Sequence, residues 1–298
     1  MNTPAPPEVI GRAAPAPAAP AGAARWRRVA RRFLRRKMAV AGAVLVLAFL
    51  LLALVGPLVT ADPARLGLDH ILQGPSAAHL LGTDDLGRDV LARICNGAQV
   101  SLLAGVFSTA LAMLVGIPIG LLAGFYRGWT DSVLMRVNDV VLSFPFLIFA
   151  VVMAAILGPS LPNVIVALAV AEVPSVVRIV RGETIALREQ EFVEAAVADG
   201  AGDVAIMART VLPNMTNTLI VKATVAIPAG IIGEAALSFL GLGVQPPTAS
   251  WGVMLTSAQQ FLTQDPLLAL FPGIAIALTT LGFNLLGDGL RDVLDPRG

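Results

Sequence analysis

The chain has 298 residues, of which 56% are hydrophobic and only 14% charged, and its mean hydropathy is +0.79. Soluble domains carry about a quarter charged residues, so an ordinary soluble globular domain is excluded and a membrane protein is indicated. A net charge of +1 says little until the charges are placed along the chain, and a single cysteine, Cys95, rules out an internal disulfide framework or an all-cysteine metal site.

Residues 1–24 are rich in Pro and Ala without periodicity and read as a disordered tail, which continues through a basic run, Arg25 to Lys37, as a cytoplasmic segment over 1–37. The uncharged stretch that follows predicts a first transmembrane anchor over 38–60. It exceeds the apolar core of a cleaved signal peptide and is long enough to cross a bilayer. A polar extracytoplasmic loop is expected over 61–97, and a helical core over 98–290. Within that core, spans are predicted at about 100–125, 138–157, 163–181, 217–240 and 266–287. The turn "GPSLPN" at 158–163 separates the third span from the fourth, because Gly and Pro interrupt a helix there. A second polar loop fills 241–265, and a short cytoplasmic tail fills 291–298.

Six spans put both termini on one side. With the N-terminus inside, Lys and Arg divide 18 inside to 3 outside, and 9 to 3 without the N-terminal cluster. The positive-inside rule favours that orientation in a cytoplasmic membrane. The basic run is therefore read as a topology signal facing membrane lipid, and no nucleic-acid partner is expected. Tyr126, Trp129 and Trp251 fall near expected interfaces, as belt aromatics do.

Between the fourth and fifth spans lies "FVEAAVADGAGDVAIMARTVLPN", Phe192 to Asn214, too polar and too interrupted to span. Helical spacing puts Phe192, Ala195, Ala196 and Asp199 on one face. Gly200 and Gly202 break the helix, and Asp203 is a plausible N-cap for a second one carrying Val204, Met207 and Val211 on one face. Leu212-Pro213-Asn214 ends it. Two short helices at an angle, projecting into the cytoplasm, suit docking into a groove on a partner. The competing reading is an ordinary loop packed on its own membrane domain.

The residues themselves narrow the choice. Glu194-Ala195-Ala196, then Gly200, then Val211-Leu212-Pro213 resembles the EAA loop of ATP-binding-cassette importer permeases. The family often has Ile two residues before Leu-Pro, where this chain has Thr210 followed by Val211. "LLGTDDLGRDVLARICNGAQVSL" at 80–102, "EAALSFLGLGVQPPTASWGVML" at 234–255 and "FNLLGDGLRDVLDPR" at 283–297 resemble stretches of the C-type subunit of the dipeptide, oligopeptide and nickel branch. The resemblance implies an all-α type I importer permease fold with six transmembrane helices, in which Glu194, Ala195, Ala196, Gly200, Val211, Leu212 and Pro213 form a coupling helix seated on an ATPase. It also implies a paralogous B-type permease, two ATP-binding subunits and an extracytoplasmic substrate-binding protein. Dipeptides or short oligopeptides are the implied cargo, with nickel or haem as alternatives carried by relatives.

The chain offers no phosphate loop of its own: Lys37 and Lys222, its two lysines, lack the Gly-Lys-Ser/Thr setting that such a loop needs. No cofactor is therefore expected here, ATP and magnesium being used by the partner ATPases. Charged groups inside spans are candidates for a transport pathway, because burying one in lipid costs about 2.5–3.5 kcal/mol on insertion scales. On that ground Glu234, Glu172, Asn284 and Asp288 are pathway or gate candidates, against buried links between helices. Pro228, Gly230 and Gly233 either soften the fifth span or let it pack closely. In the outer loop, Asp84, Arg88 and Asp89 are docking candidates within a capped turn, and a cation site there is the weaker alternative. No metal site is expected, since His70 and His79 share one loop and are too few. An ion-coupled carrier using Glu172 and Glu234 would call for an internal repeat, which is not seen. An intramembrane enzyme would need a nucleophile beside a base at membrane depth, and the chain is read as a transport subunit and not an enzyme.

Overall fold

The computed structural model describes residues 31–294, so the tail expected over 1–24 lies outside the described residues. Every named element is helical. Among the described residues, five helices are long and apolar enough to cross a bilayer, with a sixth span if one sharply bent pair is counted as one.

Helix α1, Lys37–Val59, is apolar all round, as a helix facing lipid must be. Small residues make its protein-facing seam: Ala39, Gly42, Val46, Ala53 and Gly56 are buried. A Cβ at Gly42 would lie 2.5 Å from the backbone nitrogen of Leu286, so α1 lies against the last helix almost backbone to backbone.

Helix α2, Val90–Tyr126, begins where the Asp89 carboxylate accepts from the Ala92 amide at 2.8 Å. Its 37 residues reach about 55 Å at 1.5 Å per residue, well beyond the span expected over 100–125. Its partner is α5, Leu161–Arg188, capped by Ser160. The seam between them is a ladder in which Gly116, Gly120 and Gly124 face Val176, Val180 and Thr184 in turn, each added Cβ falling 2.6–2.8 Å from its partner's Cβ. Residues four apart lie on one helix face, and glycine there lets helices approach closely without help from the hydrophobic effect.

The expected third span is not one helix. The chain makes α3, Gly128–Leu142, then α4, Phe146–Leu157, with an 86° bend between them. Pro145 lacks the amide that a continuing helix would use, and Ser143 closes α3 by donating to the Val140 carbonyl at 2.6 Å. Helix α4 has 12 residues, about 18 Å, short of a hydrocarbon core of about 30 Å. The corner was concealed because the chain is uncharged from 140 through it, the charges of α3, Asp131, Arg136 and Asp139, all lying earlier.

The polar stretch after α5 forms α6, Glu191–Ala198, and three short helical segments, Asp203–Ala205, Ile206–Val211 and Leu212–Asn214, which lead into α7, Thr216–Phe239. Within the loop expected over 241–265 lies α8, Trp251–Ala258. Trp251 is fully buried, donates its indole N–H to the Ile94 carbonyl at 3.1 Å and meets Phe49 edge-on at 5.9 Å. It is a core residue joining α1, α2 and α8 and not a belt aromatic; Trp129 and Tyr126 are the exposed ones. Helix α9, Leu267–Leu294, carries helical structure into the stretch expected as a tail from 291.

Candidate coupling surface and polar cleft

The elbow leaves the bundle between the ends of α5 and α7 and is braced at its base. Arg127 donates to Glu189 at 2.7 Å, and Arg188 donates to the Phe125 carbonyl while its guanidinium lies 5.1 Å from the centre of the Phe125 ring. Both contacts fasten the elbow to the end of α2. Val193, Ile206, Met207, Val211 and Met215 turn inward and form one apolar cluster with α2 and α5. Outward, Phe192 is 41% exposed, Val197 58% and Val204 72%. Glu191, Glu194, Asp199 and Asp203 are exposed around them.

This arrangement departs from the expected faces in three places. Phe192, Ala195 and Asp199 are exposed together, but Ala196 is half-buried and packs on the inner cluster. Gly202, and not Asp203, is the residue flanking the second helical stretch, and Asp203 occupies its first turn, where a carboxylate complements the positive end of a helix. Val204 points out from the short segment Asp203–Ala205, while Met207 and Val211 point in. Ile206–Val211 is π-helical, and its repeat of about five residues instead of four puts Ile206 on the buried face with Val211. Val211 thus supports the surface from within, and Leu212 is half-buried while Pro213 is exposed. Gly200 has φ +79° in open space, the left-handed geometry that turns the chain between the two arms.

Of the pathway candidates, Glu234 is wholly enclosed. Ser101 Oγ donates to its Oε2 and Ser238 Oγ to its Oε1, both at 2.7 Å. It links α2 to α7 and faces no open passage. Gly230 acts in the same seam, a Cβ there falling 2.8 Å from Ser108 Oγ, while Gly233 lets α7 approach α5, a Cβ there falling 2.5 Å from Leu168 Cδ2. Asn284 and Asp288 are exposed on one face of α9. Glu172 is paired: Lys222 Nζ donates to its Oε1 at 2.6 Å and to Ser175 Oγ at 2.8 Å. Lys222 also lines a cleft of about 910 Å3 between the ends of α5, α7 and α9, together with Glu183, Asn217, Thr218 and Arg291.

The outer-loop candidates are tied to one another. Asp84 and Arg88 are buried and paired at 2.7 Å, Arg93 reaches Asp84 at 3.4 Å, and Asp89 holds His79 at 2.9 Å besides capping α2. Buried charges are found paired for this reason, and the cluster reads as an internal brace of the loop more than as a free docking face.

A family model described as the binding-protein-dependent transport system inner membrane component matches residues 116–297, and one described as the N-terminal TM domain of oligopeptide transport permease C matches residues 24–75. The chain belongs to this permease family. The dipeptide transport system permease protein DppC of Alkalihalophilus pseudofirmus is 44% identical over 273 residues, covering 91% of this chain and 90% of the relative. The glutathione transport system permease protein GsiD of Pectobacterium atrosepticum is 44% identical over 274 residues, covering 91% of each. In fold, the permease resembles a chain of the MetNI methionine ABC transporter solved in inward facing conformations, with TM-score 0.55 and 22% identity over 67% of this chain and 96% of that one. The all-helical importer permease fold expected from the sequence is the fold observed.

Two features of the permease escaped the sequence reading. The glycine ladder was available in "GIPIGLLAG", residues 116–124, as three glycines four apart. The Lys222 partner of Glu172 was signalled by being the one basic residue inside the expected fifth span, since an ion in lipid requires a counter-ion.

Proposed function

We propose that this permease is the C-type transmembrane subunit of an ATP-driven importer, carrying dipeptides or short oligopeptides across the cytoplasmic membrane with both termini inside. It pairs with a paralogous B-type permease, receives cargo from an extracytoplasmic binding protein, and is driven by two ATPase subunits that use ATP and magnesium. The dipeptide and glutathione relatives support a peptide cargo. The observation that carries the reading is the elbow: an outward apolar patch of Phe192, Val197 and Val204 ringed by carboxylates, on an element braced from within. Such a patch fits a groove with an apolar floor and a basic rim. Closure of the two ATPases would move the elbows as rigid bodies and switch the access of a central cavity.

Purification in mild detergent, followed by mass spectrometry and reconstitution, tests this. Recovery of ATPases and a second permease, with peptide uptake that needs ATP, is the expected result. A chain recovered alone that moves solute without ATP would overturn it and direct attention to Glu172 as an ion-coupling group.

A further inference from the structure

The cleft has a mixed lining, in which apolar residues such as Ile179, Val221 and Leu294 stand beside charges of both signs. Lys222 and Arg291 supply cations, and Glu183 supplies a carboxylate that accepts from Thr218 at 3.1 Å. Lys222 stands on its wall already engaged by Glu172 and Ser175, with the two charged side chains 13% and 16% exposed. Lys222 is therefore reachable from the cleft, with the Glu172 carboxylate in contact with it at 2.6 Å, and the pair is only partly hydrated. It also joins α5 to α7, the two helices that enter and leave the elbow.

We propose that the Glu172–Lys222 pair is a transit site for the charged ends of a zwitterionic peptide, with Lys222 taking the carboxylate terminus and Glu172 the ammonium. This rests on the peptide reading above. An inserted zwitterion replaces one ion pair with two, so neither charge is left bare, which is the costly outcome at such a site. The exchange is near balance, as passage requires: a transit site must attract enough to admit its ligand and hold weakly enough to release it. A cargo without a free carboxylate would separate the pair and leave Lys222 without a counter-charge.

The experiment uses the complete reconstituted importer, its binding protein saturated in turn with a dipeptide and with the same dipeptide as its C-terminal amide. Saturation removes the binding protein's own preference from the measured rate. For the unaltered importer, the free dipeptide is expected to move at least about tenfold faster, the ratio that about 1.4 kcal/mol of lost charge interaction gives. Lys222→Met is expected to bring the free dipeptide down to the amide's rate while leaving the amide's rate in place. An equal fall for both cargoes, or no change in either, would overturn the transit role and leave the pair as a helix tie. The charge-swapped variant, Glu172→Lys with Lys222→Glu, keeps one cation and one carboxylate and is expected to restore the faster transport of the free dipeptide over its amide. Equal rates for the two cargoes in an assembled, ATP-hydrolysing swapped importer would leave the pair as a helix tie. An assembled, ATP-hydrolysing importer that moves neither cargo would instead refute the peptide reading, and the transit site with it.

Discussion

Gly200 is the residue on which the shape of the elbow turns. With φ +79° and nothing within 4 Å of an added Cβ, its substitution is resisted by the backbone and not by crowding. A left-handed conformation costs an L-residue about 1–2 kcal/mol, enough to shift the elbow's angle without unfolding the bundle. Gly200→Val is accordingly expected to insert and accumulate normally while transport falls by an order of magnitude or more, measured as uptake per inserted chain. Ala196→Glu is expected to act differently from the exposed Ala195→Glu, because Ala196 packs on the inner cluster; the first loosens the elbow, and the second only obstructs its surface. At Glu234, Gln keeps acceptor and donor groups beside Ser101 and Ser238, whereas Leu leaves both hydroxyls facing apolar volume. An unsatisfied buried polar group costs about 1–3 kcal/mol, so Glu234→Leu should melt well below Glu234→Gln in a thermal denaturation series in one detergent.

Among the elements, the α2–α5 seam and the π-helical segment carry most of the consequence. Gly120→Ile would place a branched side chain where a Cβ already falls 2.6 Å from that of Val180 and 2.8 Å from the Val177 carbonyl. The two longest-packed helices would be forced apart, and assembly with the second permease is expected to fail, visible as loss of co-purification. Removing exposed Ala208 would turn Ile206–Val211 into an α-helical repeat in which Ile206 and Val211, now four apart, still share the buried face. The expected result is an inserted chain that still retains ATPase subunits in co-purification, and loss of them would show that the π-turn itself is needed. Helix α3 is secured by a two-pronged contact, Arg181 Nε and Nη2 to the two oxygens of Asp131 at 2.5 and 2.6 Å, with Arg178–Asp139 at 3.2 Å beside it. Bidentate geometry fixes orientation as well as adding energy, which is how one limb of a right-angled pair is held against α5.

For the molecule as a whole, the elbow joins α5 to α7, and its outer patch stays exposed among the described residues. Cys95 is buried and is the one cysteine, so the surface can be probed with little background. Val197→Cys is expected to react readily with a maleimide in the separated chain and to be protected in the assembled importer; equal labelling in both would sink the docking surface. The sequence by itself determined much at this scale. Composition required a membrane, run lengths gave most of the spans, and the Glu194-to-Pro213 pattern marked the elbow and the family. Those features are legible because they are local: hydropathy, spacing and glycine positions act within a few turns of chain.

Four things were decided only by the tertiary structure. The third span is a right-angled pair, because apolar content does not register a corner at Pro145. The inward face of the second arm of the elbow includes Ile206 with Val211 because of a π-turn, whose phase α-helical spacing cannot foresee. Glu234 is enclosed while Glu172 pairs with a lysine on the wall of a cleft, a difference fixed by Ser101, 133 residues from Glu234, and by Lys222, 50 residues from Glu172, in a chain where all intramembrane carboxylates look alike on paper. Asp84 and Arg88 brace their own loop, since a buried ion finds its counter-charge at the nearest place the fold provides.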